Sequence, residues 1–181
     1  MRRMKHLGLG VAAGAAALSA LAVSPALSQS GISALQGHNT NAPVDVAADR
    51  IEVQDRADRA IFSGNVVVRQ ASLTLNAARL TVAYSDAGGI QIQRLDASGG
   101  VTVRSPSETA RGQFAIYDLS NRLITLLGGV TLTRGESRVS GGRLVIDLSS
   151  GRAVMDGGGP AGTRTEGGRV TGTFTVPQRN D

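Results

Sequence analysis

Three times along the chain a glycine doublet or a Gly-Asn pair stands at the head of a strictly alternating apolar run. These are Gly64-Asn65-Val66-Val67-Val68-Arg69, Gly99-Gly100-Val101-Thr102-Val103-Arg104 and Gly128-Gly129-Val130-Thr131-Leu132-Thr133-Arg134. A second alternating run follows each at a nearly constant interval, beginning at Arg79-Leu80, Gln113-Phe114 and Arg143-Leu144. Period-two alternation is the pattern of a half-buried strand, and its recurrence predicts a stack of short β-hairpins built on one template. Turn signals separate the runs: Asp55 to Arg59, Asp86 to Gly89, Ser105-Pro106-Ser107, Leu119 to Asn121, Arg134 to Glu136 and Ser149 to Gly151. No capped window of helical periodicity lies beyond the N-terminal segment. The expected fold is all-β: an antiparallel sheet of about 11–16 short strands folded over on itself.

The alternation predicts a shared apolar face. Val44, Val46, Ile51, Val53, Ala60, Phe62, Val66, Val68, Leu73, Leu75, Leu80 and Val82 begin it. Val101, Val103, Phe114, Ile116, Val130, Leu132, Leu144 and Ile146 continue it. Thr, Arg, Asp, Ser and Asn occupy the opposite face. With no helix to act as a lid, such a sheet must cover its own apolar side, as a jelly roll or a solenoid-like stack does.

The N-terminus reads as a secretory signal over residues 1–28. Arg2, Arg3 and Lys5 precede an apolar stretch from Leu7 to Val23, and Ala26-Leu27-Ser28 supplies small residues for cleavage. An uncleaved membrane anchor is the alternative. Residues 29–42 read as a polar, flexible leader, 43–177 as one β domain, and 178–181 as a tail. Every basic residue after the signal is an arginine, and these are spread singly among carboxylates, which argues against a nucleic-acid footprint.

Catalytic chemistry is scarce. There is no cysteine, and the only histidines are His6 in the signal and His38 in the leader. Thiol catalysis, a Ser-His-Asp triad and histidine or cysteine metal sites therefore lack their parts. Gly157-x-Gly159-x-x-Gly162 matches a dinucleotide fingerprint only formally, because no strand-to-helix unit surrounds it. Asp96, Glu108 and Asp147 show no spacing that pairs them as acid and base. No cofactor, no metal and no enzyme activity is expected.

Three segments carry a resemblance: Pro43-Val44-Asp45-Val46-Ala47-Ala48-Asp49, Ala60-Ile61-Phe62-Ser63-Gly64-Asn65-Val66-Val67-Val68 and Leu75-Asn76-Ala77-Ala78-Arg79-Leu80. Phe114 to Leu119, Leu126 to Val130, and Gly168-Arg169-Val170-Thr171 with Val176-Pro177 echo it. Over residues 40–177 the chain resembles the OstA-like, LptA-type proteins of lipopolysaccharide transport. It departs from them at Gly100 and Gly129, where the repeat often carries another residue such as Asn, and in the glycine loop 157–162.

The resemblance implies a periplasmic, folded-over β-jellyroll whose interior holds acyl chains while the sugar stays outside. It also implies head-to-tail self-assembly between an LptC-like inner-membrane partner and an LptD-like outer-membrane partner. Its lipid-contact positions fall on Thr40, Val44, Val46, Val103 and the Ile116-Tyr117 region. With the alternating face, the expected groove comprises Thr40, Val44, Val46, Ile51, Phe62, Val66, Val68, Leu75, Leu80, Val82, Val103, Phe114, Ile116 and Tyr117. An LptC-like anchored adaptor and a purely structural secreted β-solenoid are the competing readings.

Overall fold

The structure is a computed structural model; it describes Leu35 and residues 38–86, 88–158 and 168–175. The signal at 1–28, most of the leader, most of the glycine loop and the 178–181 tail lie outside the described residues. Among the described residues ten strands form one antiparallel sheet. Four are short: β1 (Val44–Ala47), β2 (Arg50–Gln54), β9 (Arg152–Asp156) and β10 (Thr171–Thr173). Six are long: β3 (Arg59–Gln70), β4 (Leu73–Ser85), β5 (Gln91–Arg104), β6 (Thr109–Asp118), β7 (Leu123–Arg134) and β8 (Ser137–Asp147). The central strands pair in chain order from β3 to β8. One edge carries β1 and β2 in tandem along β3, and the other carries β9 and β10 along β8.

The glycine doublets do not open strands; they sit inside them. Ser63 pairs Arg79, but the next pair is Val66 with Ala77, so β3 holds one extra residue at Gly64-Asn65. The same bulge recurs at Gly99-Gly100 in β5 and Gly128-Gly129 in β7, against both neighbours. Both residues of each doublet have positive φ, from 46° to 85°. A bulge of this kind bends its strand and sharpens the local twist. Because all three lie at one level, every long strand bends along one line, and each counts as two of the expected short strands.

The spacing of inward residues records the bend. Across the doublets of β3, β5 and β7 they stand four apart, as in Phe62/Val66, Ala97/Val101 and Leu126/Val130. In β4, β6 and β8 they stand three apart, as in Ala77/Leu80, Gly112/Ala115 and Gly141/Leu144. The even strands therefore reverse their parity at the bend. This corrects two face assignments: Phe114 and Ile116 point outward, Phe114 being 53% exposed, while Ala115 and Tyr117 point inward at 1% and 2%. A pattern run straight through Gly112-Gln113 is displaced by one residue, and one residue inverts a strand.

The fold line divides the sheet into two walls. The first contains β1, residues 66–77 of the β3–β4 hairpin, 101–112 of β5–β6, 130–141 of β7–β8, and β10. The second contains β2, the remaining halves of the long strands, and β9. Both walls contribute to one apolar cluster: Val66, Val68, Leu75, Val101 and Val130 from the first, Leu80, Leu95, Ile124, Leu126 and Leu144 from the second. The Tyr117 hydroxyl of β6, in the second wall, donates to Gln70 Oε1 of β3, in the first, at 2.8 Å. These strands are not sheet neighbours, so the walls face each other across their side chains. The expected turns each connect consecutive strands of the sheet. At one of them, Asn121 donates to Asp118 from its side chain at 2.7 Å and its backbone at 2.8 Å, which holds the Asp118 carboxyl below its ordinary range.

Candidate functional site

Between the walls the interior is divided into a sealed part and an open part. Leu80, Ile124, Leu126 and Leu144 have no exposed surface, and Val66, Val68, Leu75, Val103 and Tyr117 are at most 2% exposed. These side chains close the middle of the trough. At the β1/β2 edge the walls diverge, leaving an apolar mouth of about 410 Å³. Val44 and Val46 of β1 form one lip; Val53, Ala60, Phe62, Val82, Tyr84 and Ile92 form the facing wall. Ile51 pairs Phe62 and extends that wall, but it is 55% exposed.

A polar cluster holds the seam between the two free rims. Gln70 continues the inward phase of Val66 and Val68 and is 1% exposed. Its Nε2 donates to the carbonyls of Thr40 and Ala42 at 3.1 and 3.0 Å, and its Oε1 accepts from Tyr117 and lies 3.1 Å from His38 Nε2. Burial pushes the Tyr117 phenol up to about 12. Beside it Leu35, 6% exposed, joins the core, and its N–H donates to Glu108 Oε2 at 3.3 Å. The Glu108 side chain is nearly inaccessible, with Arg134 Nη1 3.8 Å away, and burial raises its pKa. Residues 38–42 thus belong to the packed body and not to a loose leader: a buried amide must find partners, and their backbone supplies them.

The expected groove residues separate by position. Val44, Val46, Phe62 and Val82 meet at the mouth, and Ile51 borders it. Val66, Val68, Leu75, Leu80, Val103 and Tyr117 lie in the sealed interior. Thr40 reaches the cluster through its carbonyl, and Phe114 and Ile116 are on the outer surface. Tyr84, Ile90 and Ile92 complete the mouth without having been expected, because an irregularity between Ala83 and Tyr84 breaks the alternation there. Gln70 was not expected either; its one signal in the sequence is a lone amide in the inward phase of Val66 and Val68.

A hollow of about 420 Å³ at the fold line lies among Asn65, Asn76, Ala78 and Gly99 and lacks the convergent apolar wall of the mouth. Among the described residues no group of His, Cys, Asp and Glu converges to hold a metal ion.

The sequence from Asp45 to Arg152, residues 45–152, matches the family of the LptA/LptD N-terminal domain lipopolysaccharide transport protein. The chain belongs to that family. An uncharacterised protein of Rhizobium meliloti (strain 1021) is 34% identical over 147 residues, covering 76% of this chain and 79% of the relative. Among solved structures, the fold is similar to LptH, the LptA homologous periplasmic component of the lipopolysaccharide transport device of Pseudomonas aeruginosa. That match has a TM-score of 0.67 at 16% identity and covers 77% of this chain and 99% of LptH. The likeness to LptH is one of fold: an unclosed, folded-over antiparallel sheet, as the alternation and the family resemblance both led us to expect.

Proposed function

We propose that this LptA-family protein carries lipopolysaccharide across the periplasm, shielding its acyl chains between the two walls. The observation that carries the reading is the apolar mouth at the β1/β2 edge, opening into an interior lined by aliphatic side chains alone except at the seam. Each CH₂ kept from water is worth about 0.8 kcal/mol, so a 12-carbon chain sheltered in the trough is stabilised by roughly 9 kcal/mol. A mouth of about 410 Å³ lies within the range of small-molecule sites. Longer insertion parts the walls, and the contacts that give way are those of Leu80, Leu126 and their neighbours.

The two edges complete the reading. The outer sides of β1/β2 and of β9/β10 bear no further strand among the described residues. Pairing one copy's last strands with the next copy's first satisfies both edges and extends the trough. Such a contact is heterologous and open-ended. An LptC-like protein at one end and an LptD-like protein at the other would terminate the stack.

Photo-crosslinkers test the placement. At Val46 and Phe62 they should capture lipopolysaccharide during transfer, whereas at Asp45 and the outward Ile116 they should not. Equal capture from both sets would refute the groove. Val46→Asp should lower transfer while circular dichroism shows the sheet intact.

A further inference from the structure

The backs of the two walls are chemically unlike. On the second wall, one outward row reads Arg79, Ser98, Phe114, Leu127, Arg143, Asp156, and the next reads Thr81, Asp96, Ile116, Thr125, Val145, Val154. Its charges are paired: Arg143 with Asp156 at 3.7 Å and Arg94 with Asp96 at 2.7 Å. Among the described residues the outward face of the first wall has no such pair; the Arg134–Glu108 contact lies at its inner seam. From β4 to β10 its outward rows read Thr74, Arg104, Thr109, Thr133, Arg138, Thr173 and Asn76, Thr102, Arg111, Thr131, Ser140, Thr171. Every one of these positions is an arginine, a hydroxyl or an amide, the Thr133 Oγ1 being buried; toward the β1 edge the same rows continue through Arg69 and Asp45, and through Val67 and Ala47.

Three arginines that stand singly along the chain are thus brought by the fold onto one panel. Arg104 lies between Thr74 and Thr109, Arg111 between Thr102 and Thr131, and Arg138 between Thr133 and Thr173. All three are exposed, and none has a carboxylate within ion-pair distance among the described residues. At strand spacings of about 4.8 Å and residue rises of about 3.4 Å, their backbones stand roughly 8–14 Å apart on a sheet surface roughly 25 Å across. A guanidinium flanked by hydroxyls is a phosphate-binding combination. The donors are spread over a sheet surface and do not converge on a pocket, which suits many phosphates in a plane better than one small anion. No aromatic residue stands on the panel to stack a nucleobase.

We propose that this Arg/Thr panel docks the protein on an anionic phospholipid surface, through lipid phosphates. The contact is separate from the carriage of acyl chains proposed above and stands or falls independently of it. The full chain should be floated with phosphatidylcholine vesicles, with and without 30% phosphatidylglycerol. Each arginine near an anionic surface contributes about five-fold in partitioning, so the three together give about 100-fold preference for the charged vesicles. R104Q/R111Q/R138Q should lose that preference, and R79Q/R94Q/R143Q, which changes charge equally on the other wall, should keep it. Raising salt to about 0.5 M should abolish the preference as the Debye length shrinks. Unfolding midpoints should be unchanged for both triple variants, since all six sites are exposed or ion-paired only at the surface.

Equal partitioning of the wild type to both vesicles overturns the proposal. So does an equal loss in the two triple variants, which would make the effect one of net charge. Displacement by inorganic phosphate beyond that by chloride at matched ionic strength would reassign the panel to a small anion and overturn the surface.

Discussion

Replacing Gly99 by alanine tests whether the bulges bend the sheet as described. Gly99 has φ of +85°, and a Cβ built there would lie 2.6 Å from the Cβ of Ala78 on the neighbouring strand. An L-residue in the left-handed region costs about 1–2 kcal/mol. The clash adds about 1–3 kcal/mol, because Ala78 has no flexible end to swing aside and the backbone must move. Gly99→Ala should therefore lose about 2–5 kcal/mol, a large share of the 5–15 kcal/mol typical of a domain. Gly100 has a similar φ of +83° but nothing within 4 Å of its virtual Cβ. Asn65 already occupies the equivalent position with φ of 46°, so Gly100→Asn should cost under about 1 kcal/mol. Urea unfolding followed by circular dichroism measures both, with an unchanged m-value indicating that the folded state is otherwise preserved. Ala78→Gly combined with Gly99→Ala should recover the steric part of the loss and leave the dihedral part. If Gly99→Ala and Gly100→Asn differ by less than about 0.5 kcal/mol, or if Ala78→Gly gives no rescue, the account of the bend is wrong.

Two further outcomes concern the seam. Tyr117→Phe removes the hydroxyl that donates to the buried Gln70 and should cost about 1–2 kcal/mol in the same unfolding assay; a loss below about 0.3 kcal/mol would mean the bond does not hold the rims. Glu108 has a raised pKa, chiefly from burial, so the folded chain binds its proton more tightly than the unfolded chain does. Its contribution to stability is full below the ordinary value of 4.5 and is lost as pH rises through the raised one. Glu108→Gln keeps an acceptor for the Leu35 N–H and stays neutral, so at pH 7 it should be at least as stable as the wild type. The two should converge when the pH falls below 4.5, and a variant weaker than wild type at pH 7 would refute this.

The fold was legible because alternation and turn residues are local. The turns at Ser105-Pro106-Ser107 and Ser149-Ser150-Gly151 joined strands where their composition indicated, and the inward phase of Val66, Val68, Leu73, Leu75 and Leu80 held. What alternation alone could not show is whether a glycine pair ends a strand or bends it, since positive φ serves both. That ambiguity made the strands seem shorter than they are and placed Phe114 and Ile116 on the wrong side, where no glycine doublet marks the parity change of β6. The mouth was half legible: Val44, Val46, Phe62 and Val82 follow the pattern, but Ile90 and Ile92 come after an irregularity that no residue signals. The seam was least legible, because Leu35 and His38 are far in the chain from Gln70, Glu108 and Tyr117 and become their neighbours only when the sheet folds over.

The alternation of four-step and three-step spacing has a consequence for how such a protein can change length. An even strand cannot replace an odd one without turning half its apolar residues toward water, so growth by a single strand is forbidden. The smallest permissible increment is a matched pair, which lengthens the channel by about 10 Å and restores the same rim chemistry at the new end. Size in this architecture is therefore quantised by the bulge, and any longer or shorter homologue should differ by whole hairpins.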